Sequence, residues 1–100
     1  MIGTVLNNLG AAHKIKKNWP QAEDYLHQSI QHNRAVVGDS AAVLAFTYFH
    51  LGGVLHAQAQ PDSARYYAEQ SQVLAQKHGL KDLQEEIRAL LESIEEVTKK

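Results

Sequence analysis

Cysteine is absent from the 100 residues, which removes disulfides, thiolate zinc sites, iron–sulfur clusters and cysteine nucleophiles together. A chain this short can bury one modest core but not two. One domain over residues 1–100, held by packing alone, is therefore expected. Neither sign of charge is in excess, with 10 Lys and Arg against 11 Asp and Glu and a formal net charge of -1. Nucleic-acid domains usually carry a marked basic excess on one face, so nucleic acid is not an expected partner. No apolar run reaches the roughly 18 residues of a membrane span. The start, Met1-Ile2-Gly3-Thr4, has no basic stretch leading into an apolar core, so neither membrane insertion nor secretion is indicated and a cytoplasmic location is expected. Also missing are a glycine-rich phosphate loop, a nucleophile elbow and an ordered Ser/His/Asp set. No reaction class can be assembled, and neither an enzyme nor a cofactor is expected.

What is present reads as helix. The chain is 44% hydrophobic and 21% charged with only two prolines, an ordinary balance for a folded, mainly helical protein. Punctuation falls at Asn18-Trp19-Pro20, Gly38-Asp39-Ser40, Gln60-Pro61-Asp62 and Gly79-Leu80. Proline is tolerated in the first turn of a helix and glycine suits the left-handed position just past its end. These four breaks predict five helices, over about 3–17, 20–37, 41–58, 62–78 and 82–98. Apolar stripes at three-to-four spacing support them: Tyr25, Leu26, Ser29, Ile30 and Val37 in the second, and Leu83, Ile87, Leu90, Leu91, Ile94 and Val97 in the fifth. Asp82 followed by Glu85 resembles a capping arrangement that would start the last helix, and Lys99 and Lys100 suit its opposite end.

The chain is also similar to itself. A shift of 42 residues lays Leu9-Gly10 on Leu51-Gly52, Ala22 on Ala64, Tyr25 on Tyr67 and Ser29 on Ser71. Gly10 with Ala22, and Gly52 with Ala64, would let two antiparallel helices approach closely. A mid-helix glycine costs on the order of 1 kcal/mol against alanine, so its recurrence points to a packing constraint.

These residues resemble the tetratricopeptide repeat family. The first unit reads Leu6-x-x-Leu9-Gly10-x-x-His13, then Ala22-x-x-x-Leu26; the second reads Tyr48-x-x-Leu51-Gly52-x-x-Leu55, then Ala64-x-x-x-Ala68. The 42-residue spacing, Leu6-Asn7-Asn8-Leu9-Gly10 and the Val37-Gly38-Asp39 break look like its kinesin-light-chain-type branch. The second-helix aromatic is replaced by Leu26 or Ala68, and the terminal proline has no counterpart at Arg34 or Gln76. The resemblance implies an all-α superhelix of two helical hairpins, over about 3–38 and 41–79. The helix at about 82–98 carries Ser93-Ile94 in place of Leu-Gly and has Glu85, Glu92 and Glu96 on its outer side, which suits a solvated cap.

The family further implies protein or peptide binding in a concave groove lined by the first helix of each hairpin. Its positions here are Thr4, Asn7, Asn8, Ala11 and Lys14, then Phe46, Phe49, His50, Gly53 and His56. Asparagine offers both donor and acceptor to an extended backbone, which singles out Asn8. Phe46 and Phe49 are core or anchor, and Leu44, Tyr48, Leu51 and Leu55 already supply a core side. Such a groove suits a ligand with an apolar side chain and a polar or acidic end.

Other features have plainer readings. No two of the six histidines are four apart, so no metal site is expected; His27 and His32, like His50 and His56, read as structural or surface residues. Adjacent carboxylates at Glu23-Asp24, Glu85-Glu86 and Glu95-Glu96 point in different directions. Lys14, Lys16 and Lys17 close the first helix, where cations are favourable. Repeat arrays usually need about three units, so an edge near Ile2, Val5 and Leu6 suggests a homodimer as the alternative reading, or a sensor piece of a larger, bacterial-type regulator. A five-helix bundle without repeat function is the third.

Overall fold

The computed structural model describes residues 2–38 and 42–98, with the side chains of residues 2–4 and 37 left aside. The helices are α1 (Ile2–Ile15), α2 (Trp19–Val37), α3 (Ala42–Ala57), α4 (Pro61–Lys77) and α5 (Lys81–Thr98). No strand occurs among the described residues, and none of the described helices is long and apolar enough to cross a membrane. The Asp39-Ser40 part of the second break and the terminal Lys99 and Lys100 lie outside the described residues.

The 42-residue repeat is visible down to single backbone bonds. Lys17 and Ala59 both adopt left-handed φ, at 63° and 60°. The amide of the next residue reaches back to the helix in each case: Asn18 N to His13 O at 2.8 Å, and Gln60 N to Leu55 O at 3.0 Å. Neither Asn18 nor Gln60 caps the following helix with its side chain. Their carbonyls accept from Ala22 N and Ala64 N at 2.9 and 3.0 Å, and Pro20 and Pro61 occupy first-turn positions where a missing N–H is harmless. Gly79, at φ 65°, makes the corresponding turn before α5. There the backbone starts the helix two residues earlier than the Asp82–Glu85 pattern implies, with Leu80 and not Asp82 in the cap position. Gln84 N bonds Leu80 O at 2.9 Å, so Asp82 sits within the first turn instead of capping it.

Each glycine of the Leu-Gly pair marks a close crossing. A Cβ on Gly10 would stand 2.5 Å from Leu26 Cγ, inside the α1–α2 contact. One on Gly52 would stand 3.2 Å from Ala64 O and 3.3 Å from Leu90 Cδ2. The core then runs from Ala22, Leu26 and Ile30 through Leu44, Leu51 and Val54 to Ala64, Ala68, Ile87 and Ile94. Leu26 and Ala68, which replace the expected aromatic, are both fully buried.

α3 packs on α1, α2, α4 and α5. It is accordingly apolar on nearly every side, where α5 is strongly two-faced. α5 turns Leu83, Ile87 and Ile94 inward. Arg88, Glu92 and Glu95 stand exposed on the side away from the core.

Between α1, α2 and α3 lies a buried polar chain that the periodicity does not announce. Thr47 Oγ1 donates to Asn7 Oδ1 at 2.8 Å, with Val43 O a second acceptor at 3.2 Å. Ser29 Oγ lies 3.4 Å from Thr47 Oγ1 and accepts from Asn33 Nδ2 at 3.1 Å. Ser71 Oγ similarly donates to Ala45 O at 2.6 Å, tying α4 to α3. No buried side-chain polar atom among the described residues lacks a partner, as such networks require.

Candidate functional site

α1, α3 and α5 lie side by side, with α2 and α4 behind them, because α3 contacts both α1 and α5. Their shared face carries a trough. Its floor is the α3 surface of Phe46, Phe49, His50 and Gly53, four residues spaced so that one face of a helix presents them together. One wall is Lys14 from α1. The other is the start of α5, where Gly79 to Leu83, Glu86 and Phe46 enclose a cleft of ≈ 500 Å³.

Lys14 does not stay with Lys16 and Lys17 at the exposed helix end. Its ammonium bends over the Phe49 ring, 4.6 Å from the centroid, and stands 3.5 Å from His50 Nδ1. The space is left by Gly53, where a Cβ would come within 2.8 Å of Lys14 Nζ. Burial pushes the Lys14 amine down from its ordinary value, and Glu86 across the trough partly opposes this. Burial, and then the Lys14 cation, push His50 down to about 4. At neutral pH the pair is thus one ammonium beside one neutral imidazole, held against an aromatic ring.

The predicted groove residues divide. Lys14, Phe46, Phe49 and His50 come together in the trough, with Phe46 39% exposed and Phe49 half-buried against the core. Phe46 is therefore the anchor-like ring, and Phe49 serves both surfaces. Asn8 is exposed and Ala11 and His56 are half-buried on the same two helices. Asn7 is corrected from groove to packing residue: it is 8% exposed and its side-chain oxygen is held by Thr47. Thr4 lies outside the described side chains. Sequence reasoning missed Glu86, grouped with solvated carboxylates, and Leu80 and Leu83, which line the cleft.

The remaining histidines have local roles. His13 stacks on Tyr25 at 5.4 Å, filling the position of a packing aromatic, and His27 Nε2 lies 3.9 Å from Glu23 Oε1. On the side of α3 turned toward α2 and α4, Tyr48 packs on Tyr67 of α4 with ring centroids 5.9 Å apart, and Tyr66 packs on Tyr67 at 5.1 Å. Two clefts of ≈ 230 Å³ there share Arg34, Tyr48 and Tyr66.

Comparison with known proteins gives one family result: the model of a tetratricopeptide repeat matches residues 1–77. No curated protein matches, and no solved structure matches.

Proposed function

The chain belongs to the tetratricopeptide repeat family, and on that premise we propose that it is a non-catalytic protein–protein interaction module that takes a peptide segment in the trough across α1, α3 and α5. In this reading two hairpins form the array, α5 closes its C-terminal side, and the trough is the concave groove. The observation that carries it is the desolvated Lys14 ammonium on the Phe49 ring, beside a half-exposed Phe46. A partly buried cation and accessible aromatic rings in one concave site are the elements that concentrate binding energy at protein interfaces. Asn8 adds an exposed amide where the second hairpin has His50.

A display selection of random dodecapeptides on the immobilised chain tests this reading. Binders are expected to lose about tenfold or more in affinity to Lys14→Ala and Phe46→Ala proteins of unchanged helical content. Binders indifferent to both substitutions would refute the groove.

One observation favours a second reading, self-association through α1. Val5 and Leu9 are 54% and 38% exposed, whereas Thr47 and Leu51, which stand 42 residues on, are fully buried against α2. A second copy of the chain would cover that stripe. Light scattering that finds monomers over the whole accessible concentration range would dismiss it.

A further inference from the structure

The trough has walls of opposite charge and an apolar floor, and that arrangement constrains what fits it. On the α1 side the Lys14 amine is desolvated, and among the described residues no carboxylate lies within ion-pair distance of it. Its contacts are the ring of Phe49 and a weak 3.5 Å approach to His50 Nδ1. A cation removed from water, on which Glu86 acts only from beyond ion-pair distance, is an unfavourable arrangement that a ligand carboxylate in direct contact relieves, through a charge-assisted hydrogen bond. On the α5 side Glu86 stands exposed at the rim of the ≈ 500 Å³ cleft. Lys81 and Asp82, on the same rim, offset one another, which leaves Glu86 as the net charge. In the cleft between them Phe46 on α3 faces Leu80 and Leu83 at the α5 entry, an apolar lining with room for a side chain.

The geometry points to a protein segment with its charges in order: an Asp or Glu against Lys14, a large apolar side chain seated between Phe46 and Leu83, and a Lys or Arg at Glu86. This inference rests on the groove reading above and deepens it. A segment with the charges exchanged sets its cation against Lys14 and its carboxylate against Glu86, and like charges brought together at an interface are strongly disfavoured. The chain thereby selects for charge order and not only for net charge.

The selected dodecapeptides test it. Those that depend on Lys14 and Phe46 are expected to carry acid and base on opposite sides of an aromatic or aliphatic residue. A synthetic copy with acid and base exchanged is expected to bind about tenfold more weakly. The Lys14→Glu, Glu86→Lys double variant is expected to invert that preference. If the double variant does not fold, Lys14→Gln should lose discrimination at the acidic end alone and Glu86→Gln at the basic end alone. Groove-dependent peptides that bind equally in both charge orders, or a folded double variant that keeps the original preference, overturn the charge-order inference and leave the groove standing. Binders indifferent to Lys14 and Phe46, or no binders at all, overturn the groove and this inference with it.

Discussion

The first helices of the two hairpins carry the same pattern and meet opposite fates. Val5, Leu9 and Ala12 on α1 stand where Thr47, Leu51 and Val54 stand on α3, 42 residues later. All three on α3 are fully buried, because α2 lies against them. On α1 the same stripe faces outward. Shifting by 40 residues instead sets Thr47, Leu51 and Val54 on Ile87, Leu91 and Ile94 of α5, of which Ile87 and Ile94 are fully buried. Each first helix thus offers one apolar stripe to whatever second helix precedes it, and neighbours, not residue type, decide whether the stripe is core or surface.

The comparison breaks most visibly at its leucines. Leu51→Ala should cost about 3 kcal/mol by urea unfolding, while Leu9→Ala should cost less than about 0.5 kcal/mol. Comparable losses at both positions would show that the α1 stripe is covered in solution. The paired glycines come next. Gly10→Ala must displace the buried Leu26 side chain and should cost about 2 kcal/mol. Gly52→Ala meets the α4 backbone at Ala64 O and the Leu90 side chain at tight distances of 3.2 and 3.3 Å, a cost that its gain in helix propensity should offset in part and hold to about 1 kcal/mol.

His50 separates the hairpins by pH, since Asn8 occupies its position on α1. The unfolded chain protonates this imidazole near its ordinary 6.5, whereas the folded protein resists protonation down to about 4. The associated stability is therefore complete above pH 6.5 and is lost as pH falls from 6.5 toward 4. The expected loss, allowing for the solvent that still reaches the ring, is on the order of 2 kcal/mol. The groups around it are Lys14 and Phe49, with Glu86 acting on Lys14. His50→Asn should remove this part of the acid sensitivity, read as the difference between the two pH–stability curves. Equal slopes would contradict the assignment. One effect has the opposite sign: Ala59→Gly should stabilise by about 0.5–1 kcal/mol by relieving the left-handed turn, and Lys17→Gly should do the same in the first hairpin.

Helix number and the repeat were legible because proline, glycine and apolar spacing act locally and recur. The observed boundaries fall within about two residues of those predicted. Lys14, Phe46, Phe49 and His50 were legible through repeat position, since their place on a helix fixes the face they share. Asn7 was not, because its fate depends on a hydroxyl 40 residues away. Nothing in the α1 pattern reveals that Thr47 will reach it. Glu86 was hidden for a related reason: its own helix reads as a solvated cap, and only the packing of α5 beside α3 brings it to the trough. Lys14 shows the limit of charge reading, as its run with Lys16 and Lys17 suggests an exposed helix end while the space beside Gly53 draws it inward.

The central claim is that the α1–α3–α5 face binds a protein segment. Titrating an isotopically labelled chain with an enriched dodecapeptide and following its amide and side-chain resonances tests this most directly. The account predicts that the largest shifts fall on Lys14, Phe46, Phe49, His50 and Glu86, and that Arg34, Tyr66 and Val73 on the opposite layer stay still. Shifts concentrated around Arg34, Tyr66 and Val73, with the trough unmoved, would contradict it.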